Sequence, residues 1–285
     1  HVNEPEAVFR AAGAYDEVSA QKADDMQRQQ QATHEVATRF AVITDSAADI
    51  PDELLETLDI HIVPLRVQFG ERGYLDKVTL SPGEFFRELA SNPAYPTTSQ
   101  PSAGDFRRHY QFLASHYPDV VSVSLTGQAS GTLQAAQSAA GRIKASGKVH
   151  VVDTLNASAG QGLMVILAAE CAQAGLDATT TLEILRDAVA DTVSFAIVRD
   201  LTYAVRGGRI PKSKKLLADL LRVTPVIMTT PDGRVAAAGT IPGRKRPLKR
   251  FARYAAHRAP GQKVQFLVGH AEAPREAEEL EALLL

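Results

Sequence analysis

The chain has 285 residues, 45% of them hydrophobic and 22% charged, with a formal net charge of −2, one cysteine and no tryptophan. That length supports two ordinary domains or one large one. The lone Cys171 excludes an intramolecular disulfide framework and a multi-cysteine zinc site, and within ILAAECAQAG it reads as a small buried hydrophobe. No apolar run approaches the ~18 residues that span a membrane, and no secretory signal pattern is present. The expectation is a cytoplasmic α/β protein.

Residues 1–38 stand apart as a polar stretch with a Gln run, read as a docking helix followed by a linker. FAVIT, from Phe40, is a short β-branched apolar run, the pattern of a strand buried on both faces. DSAADIPDELLETL predicts a turn and a helix, with Asp49 as N-cap and Pro51 at the first helical position. IHIVPLRVQF resumes a strand pattern, GERGYL reads as a hairpin, and SPGEFFRELA as a capped helix. AYPTTSQPSAGDF is expected to be a stiff loop, because Pro96 and Pro101 fix φ while Thr97, Thr98, Ser99 and Gln100 offer small polar groups. The next helix carries Phe106, Tyr110 and Leu113 on one stripe; DVVSVSLT predicts a strand, SGTLQAAQSAAGRIKAS a helix and KVHVVDT a strand. Strands and helices alternating at this spacing mark a mostly parallel, Rossmann-like sheet.

The second half opens on the helices SAGQGLMVILAAECAQAG and TTTLEILRDAVADT. VSFAIV and VTPVIMTT predict strands, PDGRVAAAGTI a hairpin arm around Asp232-Gly233, then a basic helix, the strand VQFLVGH and the helix PREAEELEALLL. A boundary near residue 158 divides the chain into 39–158 and 159–285. Between Arg199 and Arg258, 15 Lys or Arg stand against 3 Asp or Glu, which reads as a solvated basic surface or as a face that attracts anions. No aromatic interleaving or nucleic-acid signature accompanies it, so a nucleic-acid partner is not expected.

Two places concentrate hydrogen-bonding groups. One is the Thr97–Gln100 loop. The other is SLTGQASGTLQAA, where Ser130-Gly131-Thr132 opens a helix whose free N–H groups and partial positive charge favour an anion. Both follow strands of an α/β sheet and would gather at one crevice. A carboxylate or phosphate held by Thr98, Ser130 and backbone N–H groups is one reading; a plain helix cap and a Pro-bounded turn is the other. Asp45 and Ser46 are expected to tie down the turn after the first strand. GQASG lacks the glycine spacing of a serine-hydrolase elbow, GGRIPKSK lacks a Walker A ending, and His257 and His270 are isolated. No metal or cofactor is expected.

ITDSAADIP, PTTSQPSAGDF, SLTGQASGTLQAA, VVDT, LTYAVRGGRI, VTPVI and DGRV…GRKRPLKR follow one another in the order seen in the DegV family, which this chain resembles from about Phe40 to Leu285. That family comprises bacterial fatty-acid-binding proteins that act as acyl carriers to a fatty acid kinase. The resemblance implies two α/β domains around one long-chain fatty acid, its tail in an apolar tunnel. The carboxylate would be held by Thr98 or its neighbour Thr97, with Ser130 and Gly131, supported by Asp45, Ser46, Ser99 and Gln100. Arg209, with Gly207 and Gly208, would contact the kinase or the phosphoryl group. Burying about 14 methylenes at ~0.8 kcal/mol each gives about 11 kcal/mol before association costs, so the tail supplies affinity and the head supplies orientation. The resemblance also implies a later histidine-bearing loop that this sequence lacks, for which His270 is no substitute. Residues 1–38 resemble the closing segment of a dihydroxyacetone-kinase-like protein, which implies a natural kinase–carrier fusion. An enzyme acting directly on a phosphorylated or acyl substrate is the alternative, though no nucleophile–base pair or nucleotide loop supports it.

Overall fold

The computed structural model describes residues 39–144, 147–198, 202–206, 223–242, 247–258 and 263–285. The first half runs β1 (Phe40–Asp45), α1 (Asp52–Thr57), β2 (Ile60–Val63), β3 (Arg66–Phe69), β4 (Arg72–Leu75), α2 (Pro82–Ser91), β5 (Thr97–Ser99), α3 (Ala103–His116), β6 (Asp119–Ser124), α4 (Thr132–Ala140) and β7 (Lys148–Asp153). The second runs α5 (Ser158–Gln173), α6 (Ala178–Asp191), β8 (Phe195–Ile197), α7 (Thr202–Arg206), β9 (Val223–Thr229), β10 (Val235–Pro242), α8 (Pro247–Ala256) and α9 (Pro274–Leu284).

Every residue of β1 is buried, because alternate side chains enter two different cores. Phe40 and Val42 meet Met164, Val165 and Leu185 of α5 and α6; Ala41 and Ile43 meet Phe106, Tyr110 and Leu113 of α3. Period-two geometry thus converts the continuous run FAVIT into two half-cores. The sheet is parallel throughout, in the order β2-β1-β6-β7. Helices α5 and α6, which lie beyond the expected boundary near residue 158, pack on this first sheet.

Among the described residues two antiparallel sheets accompany it, ordered β4-β3-β5 and β10-β9-β8. The expected hairpin at GERGYL is β3–β4, turning through Gly70 at φ +60°. SPGEFFRELA is α2, closed by a capping box between Ser81 and Glu84. The Asp232-Gly233 hairpin joins β9 to β10, with Gly233 at φ +83°. Phe251 of α8 and Leu280 of α9 pack with Val226 and Ile241 of that sheet.

Four expectations are corrected. The Pro-bounded loop contains a strand, since Thr97–Ser99 pairs antiparallel with β3. β5 is an edge, where prolines on either side sacrifice no ladder bond and polar side chains meet solvent. Asp49 does not cap α1; Pro51 holds that position with no side-chain cap, and the Asp49 carboxylate is taken by Lys77 Nζ at 3.0 Å and Ser158 Oγ at 2.6 Å. Ser130 lies one residue ahead of the α4 N-cap, which is Gly131. VQFLVGH forms no strand: it finds no ladder partner among the described residues, Val264 and Phe266 stay exposed, and Leu267 turns inward against the α5 core.

Candidate functional site

In the order β2-β1-β6-β7 the chain leaves β1 toward β2 on one side and later returns as β6 on the other. The crevice outside the carboxyl ends of β1 and β6 is therefore the switch point, where open α/β sheets accept ligands. The two loops that border it are tied together by Asp45. Its carboxylate, 0% exposed, accepts the Leu125 N–H at 3.0 Å and the Ala47 N–H at 3.1 Å. Burial pushes this carboxyl up, against the opposing pull of the Leu125 and Ala47 N–H groups and the Gln161 side chain. Ser46 is equally enclosed, donating to Asp76 Oδ2 at 2.7 Å and accepting the Leu65 N–H at 3.0 Å. Both side chains spend their hydrogen bonds within the protein and brace the turn.

The hydroxyl groups sit differently. Thr97, Thr98, Ser99 and Gln100 are all exposed. Ser130 is half-buried; its Oγ accepts the Thr132 N–H at 3.2 Å and lies 2.8 Å from Thr132 Oγ1. The two segments meet at one point: a Cβ added to Gly131 would lie 2.5 Å from Gln100 Nε2 and 2.6 Å from its Oε1. The Gln100 amide thus rests on the Cα of Gly131 at the start of α4. A side chain at Gly131 would displace this exposed amide rather than strain the backbone, whose φ is an ordinary −75°. Gln100 and Gly131 also border an open depression of about 370 Å³ with Pro101, Ser102, Gln134 and Ser138, so the junction meets solvent.

The base of this arrangement is held by Asp105 in the first turn of α3. Its carboxylate completes the α3 capping box with Ser102 and pairs with Arg66 of β3 at 3.0 Å and Arg108 at 2.7 Å. Burial pushes the carboxyl up, but the Ser102 hydroxyl and N–H and the two guanidiniums outweigh it and bring the pKa down to about 2. A depressed carboxyl stabilises the fold above its unfolded value of 3.8 and loses that contribution as pH falls toward about 2. Asp105→Asn is expected to cost about 2 kcal/mol at pH 7, the gap to wild type closing between pH 4 and pH 2. Urea midpoints across that range measure it.

The second antiparallel sheet docks at the same carboxyl edge. Asn156, 2% exposed, accepts from Thr229 Oγ1 at 2.7 Å and Ser194 Oγ at 3.2 Å, while its Nδ2 donates to the Thr192 carbonyl at 2.9 Å. Its own carbonyl accepts the Thr126 N–H, and Thr126 Oγ1 donates to the Gly233 carbonyl at 2.9 Å. At the exposed end of the junction, Tyr95 Oη donates to the Tyr203 carbonyl at 2.8 Å, the two rings stack, and Arg206 lies over Tyr95. None of Asn156, Thr126, Ser194, Tyr95 or Tyr203 was singled out by sequence reasoning. Their partners are mostly 36 or more residues away, so no local pattern marks them. Gly207, Gly208 and Arg209 lie outside the described residues. Among the described residues no group of three or more His, Cys, Asp or Glu side chains could hold a metal, and no helix is long and apolar enough to cross a membrane.

A parallel sheet covered on both faces, with hydroxyl-bearing loops at its switch point and a further sheet docked at its carboxyl edge, defines an α/β protein. The chain belongs to the DegV family: residues 39–285 match the family model, described as uncharacterised protein, DegV family. A DegV domain-containing protein of Deinococcus radiodurans is 34% identical over 215 residues, covering 75% of each chain. Among solved structures, a DegV family protein from Thermus thermophilus described by its fatty acid binding is 36% identical, with TM-score 0.70 over 79% of each chain. DegV of Bacillus subtilis, described as a fatty acid binding protein, is 28% identical, with TM-score 0.76 over 87% of this chain and 88% of that one.

Proposed function

We propose that this chain binds one long-chain fatty acid, is not itself an enzyme, and presents the carboxylate to a fatty acid kinase for acyl phosphate formation. The observation that carries this reading is the seat of Gln100 on Gly131, which brings the Thr97–Gln100 segment against the start of α4. The fatty-acid-binding descriptions of the relatives from T. thermophilus and B. subtilis support the ligand class. The head-group ligands are Thr98, Ser130 and the N–H groups at Gly131, with Asp45 and Ser46 bracing the loops beneath. The pleat favours Thr98 over Thr97: residues two apart share a face, so Thr98 lies on the Gln100 side of the extended segment and Thr97 and Ser99 on the other.

Hydroxyl accounting suits an anion. When Thr132 donates both its N–H and its O–H to Ser130 Oγ, the Ser130 proton is left to point at a carboxylate oxygen. The apolar tail lies in the cleft between the parallel-sheet unit, to which α5 and α6 belong, and the remainder of 159–285; the Gly208 and Arg209 segment contacts the kinase or the phosphoryl group, and residues 1–38 belong to a kinase-associated domain. The protein works in the cytoplasm.

Mass spectrometry of an organic extract from the denatured, freshly purified protein is expected to show a long-chain fatty acid at about one per chain. The isolated chain with ATP is expected to form no acyl phosphate. An empty protein that takes up no fatty acid on incubation overturns the reading.

A further inference from the structure

A fatty acid head offers two oxygens with about four lone-pair sites and a full negative charge, so it can accept a further donor beyond the Thr98 and Ser130 hydroxyls and the N–H at Gly131. The groups around the junction show what else is free. Ser102 is bound to Asp105 in the capping box, Thr126 to Gly233, and Asp45 and Ser46 to the loop backbone and Asp76. The Gln100 side chain is different. It has two N–H donors and one carbonyl acceptor, and among the described residues none of them is hydrogen-bonded to protein. An exposed glutamine with no partner ordinarily sweeps through several rotamers. Here the amide instead lies on Gly131, in the gap that the absent Cβ leaves, and Pro101 behind it restricts the backbone of Gln100 to extended conformations.

We infer that Gln100 is the residue that selects a carboxylate head: seated on Gly131, its amide N–H supplies the second carboxylate oxygen while the Ser130 and Thr98 hydroxyls supply the first. This rests on the fatty acid reading and deepens it. Gly131 acts in a supporting capacity, because any side chain there would occupy the place of the amide. A ligand with one neutral oxygen, such as a fatty alcohol, uses the hydroxyls and leaves the amide unused. The preference for acid over alcohol of equal length is therefore set largely by Gln100.

The test is calorimetric titration of the full chain with oleate and with oleyl alcohol at pH 8. Gln100→Met, which keeps the length and removes the donors, is expected to weaken oleate about tenfold and to leave oleyl alcohol within about twofold. Gln100→Glu, which sets a charge against the carboxylate, is expected to lose more than Gln100→Met and to regain part of it at pH 5. Gly131→Ala is expected to lower oleate affinity in the wild-type background and to cost far less in Gln100→Ala, a coupling that a double-mutant cycle reads directly. Equal losses for oleate and oleyl alcohol in Gln100→Met, or additivity of the two substitutions, would show that Gln100 merely packs, and would overturn the inference. Failure of the wild-type protein to bind oleate at all overturns the fatty acid reading beneath it, an outcome distinct from either.

Discussion

Thr98→Val combined with Ser130→Ala is expected to weaken binding of a long-chain fatty acid by about 100-fold or more. Each substitution deletes one hydroxyl donor to a charged acceptor, and such bonds contribute about 1.5–3 kcal/mol apiece. The apolar tail is untouched, so binding is not abolished; what is lost is the grip on the head. Thr98 is exposed and Ser130 half-buried, so the fold tolerates both changes at a cost of about 1 kcal/mol, arising where the Thr132 N–H loses its acceptor. Thr97→Val serves as the matched control. It removes a hydroxyl from the next residue of the same strand, on the opposite face of the pleat, and is expected to change affinity less than threefold. Titration with oleate reads all three variants, and the melting temperature verifies that each is folded. A double variant that binds within about fivefold of wild type would remove the hydroxyls from the site.

The sheet was legible because its signals are local. FAVIT carries the continuous apolar run of a doubly covered strand, DVVSVSLT and KVHVVDT are Val-rich stretches interrupted by Ser122, Ser124, Lys148 and His150, the last of them a partly covered edge strand, and the helices between them alternate at crossover spacing. The stripe of Phe106, Tyr110 and Leu113 predicted the face of α3 that the sheet buries. Where the reading failed, a distant partner decided. Thr97–Ser99 is polar enough for a loop and becomes a strand only because β3 lends it a ladder about thirty residues earlier in the chain. VQFLVGH has the strand pattern and finds no ladder among the described residues. Asp49 has the composition of a cap, but Lys77 and Ser158 compete for its carboxylate. The motifs likewise led to the expectation that Gln100 and Gly131 would stand at one crevice, but not that they would touch. Their contact across the junction depends on how β5 and α4 are set against each other, which no spacing in the chain records.

Asn156→Leu is expected to destabilise the protein by about 2–4 kcal/mol, the largest single-residue effect on stability argued for this molecule. Leucine keeps the volume but supplies no hydrogen bond, so the buried Thr229 hydroxyl loses its acceptor and the half-buried Thr192 carbonyl its donor. Each buried group left unpaired costs about 1–3 kcal/mol. Ser194 is spared, since its hydroxyl can turn to the Ala157 carbonyl at 2.8 Å. Asn156→Asp is expected to be worse than leucine, because it places a charge at a site 2% exposed and still cannot donate to Thr192. The damage should be regional. Asn156 joins the β8–β9 edge to the loop that begins at Thr126, so hydrogen exchange is expected to accelerate at the amides of Ser194, Val198 and Thr229 while those of β1 and β6 keep their protection. The proposed fatty acid site would then loosen from below: the Thr126 loop leads directly to Ser130, and the turn at Gly233 is fastened to it by the Thr126 hydroxyl. Urea unfolding followed at both sets of amides measures the two effects together. Equal loss of protection in β1 and β9 would show that the seam is not a separate unit, and Asn156 would be one more buried amide within a single cooperative core.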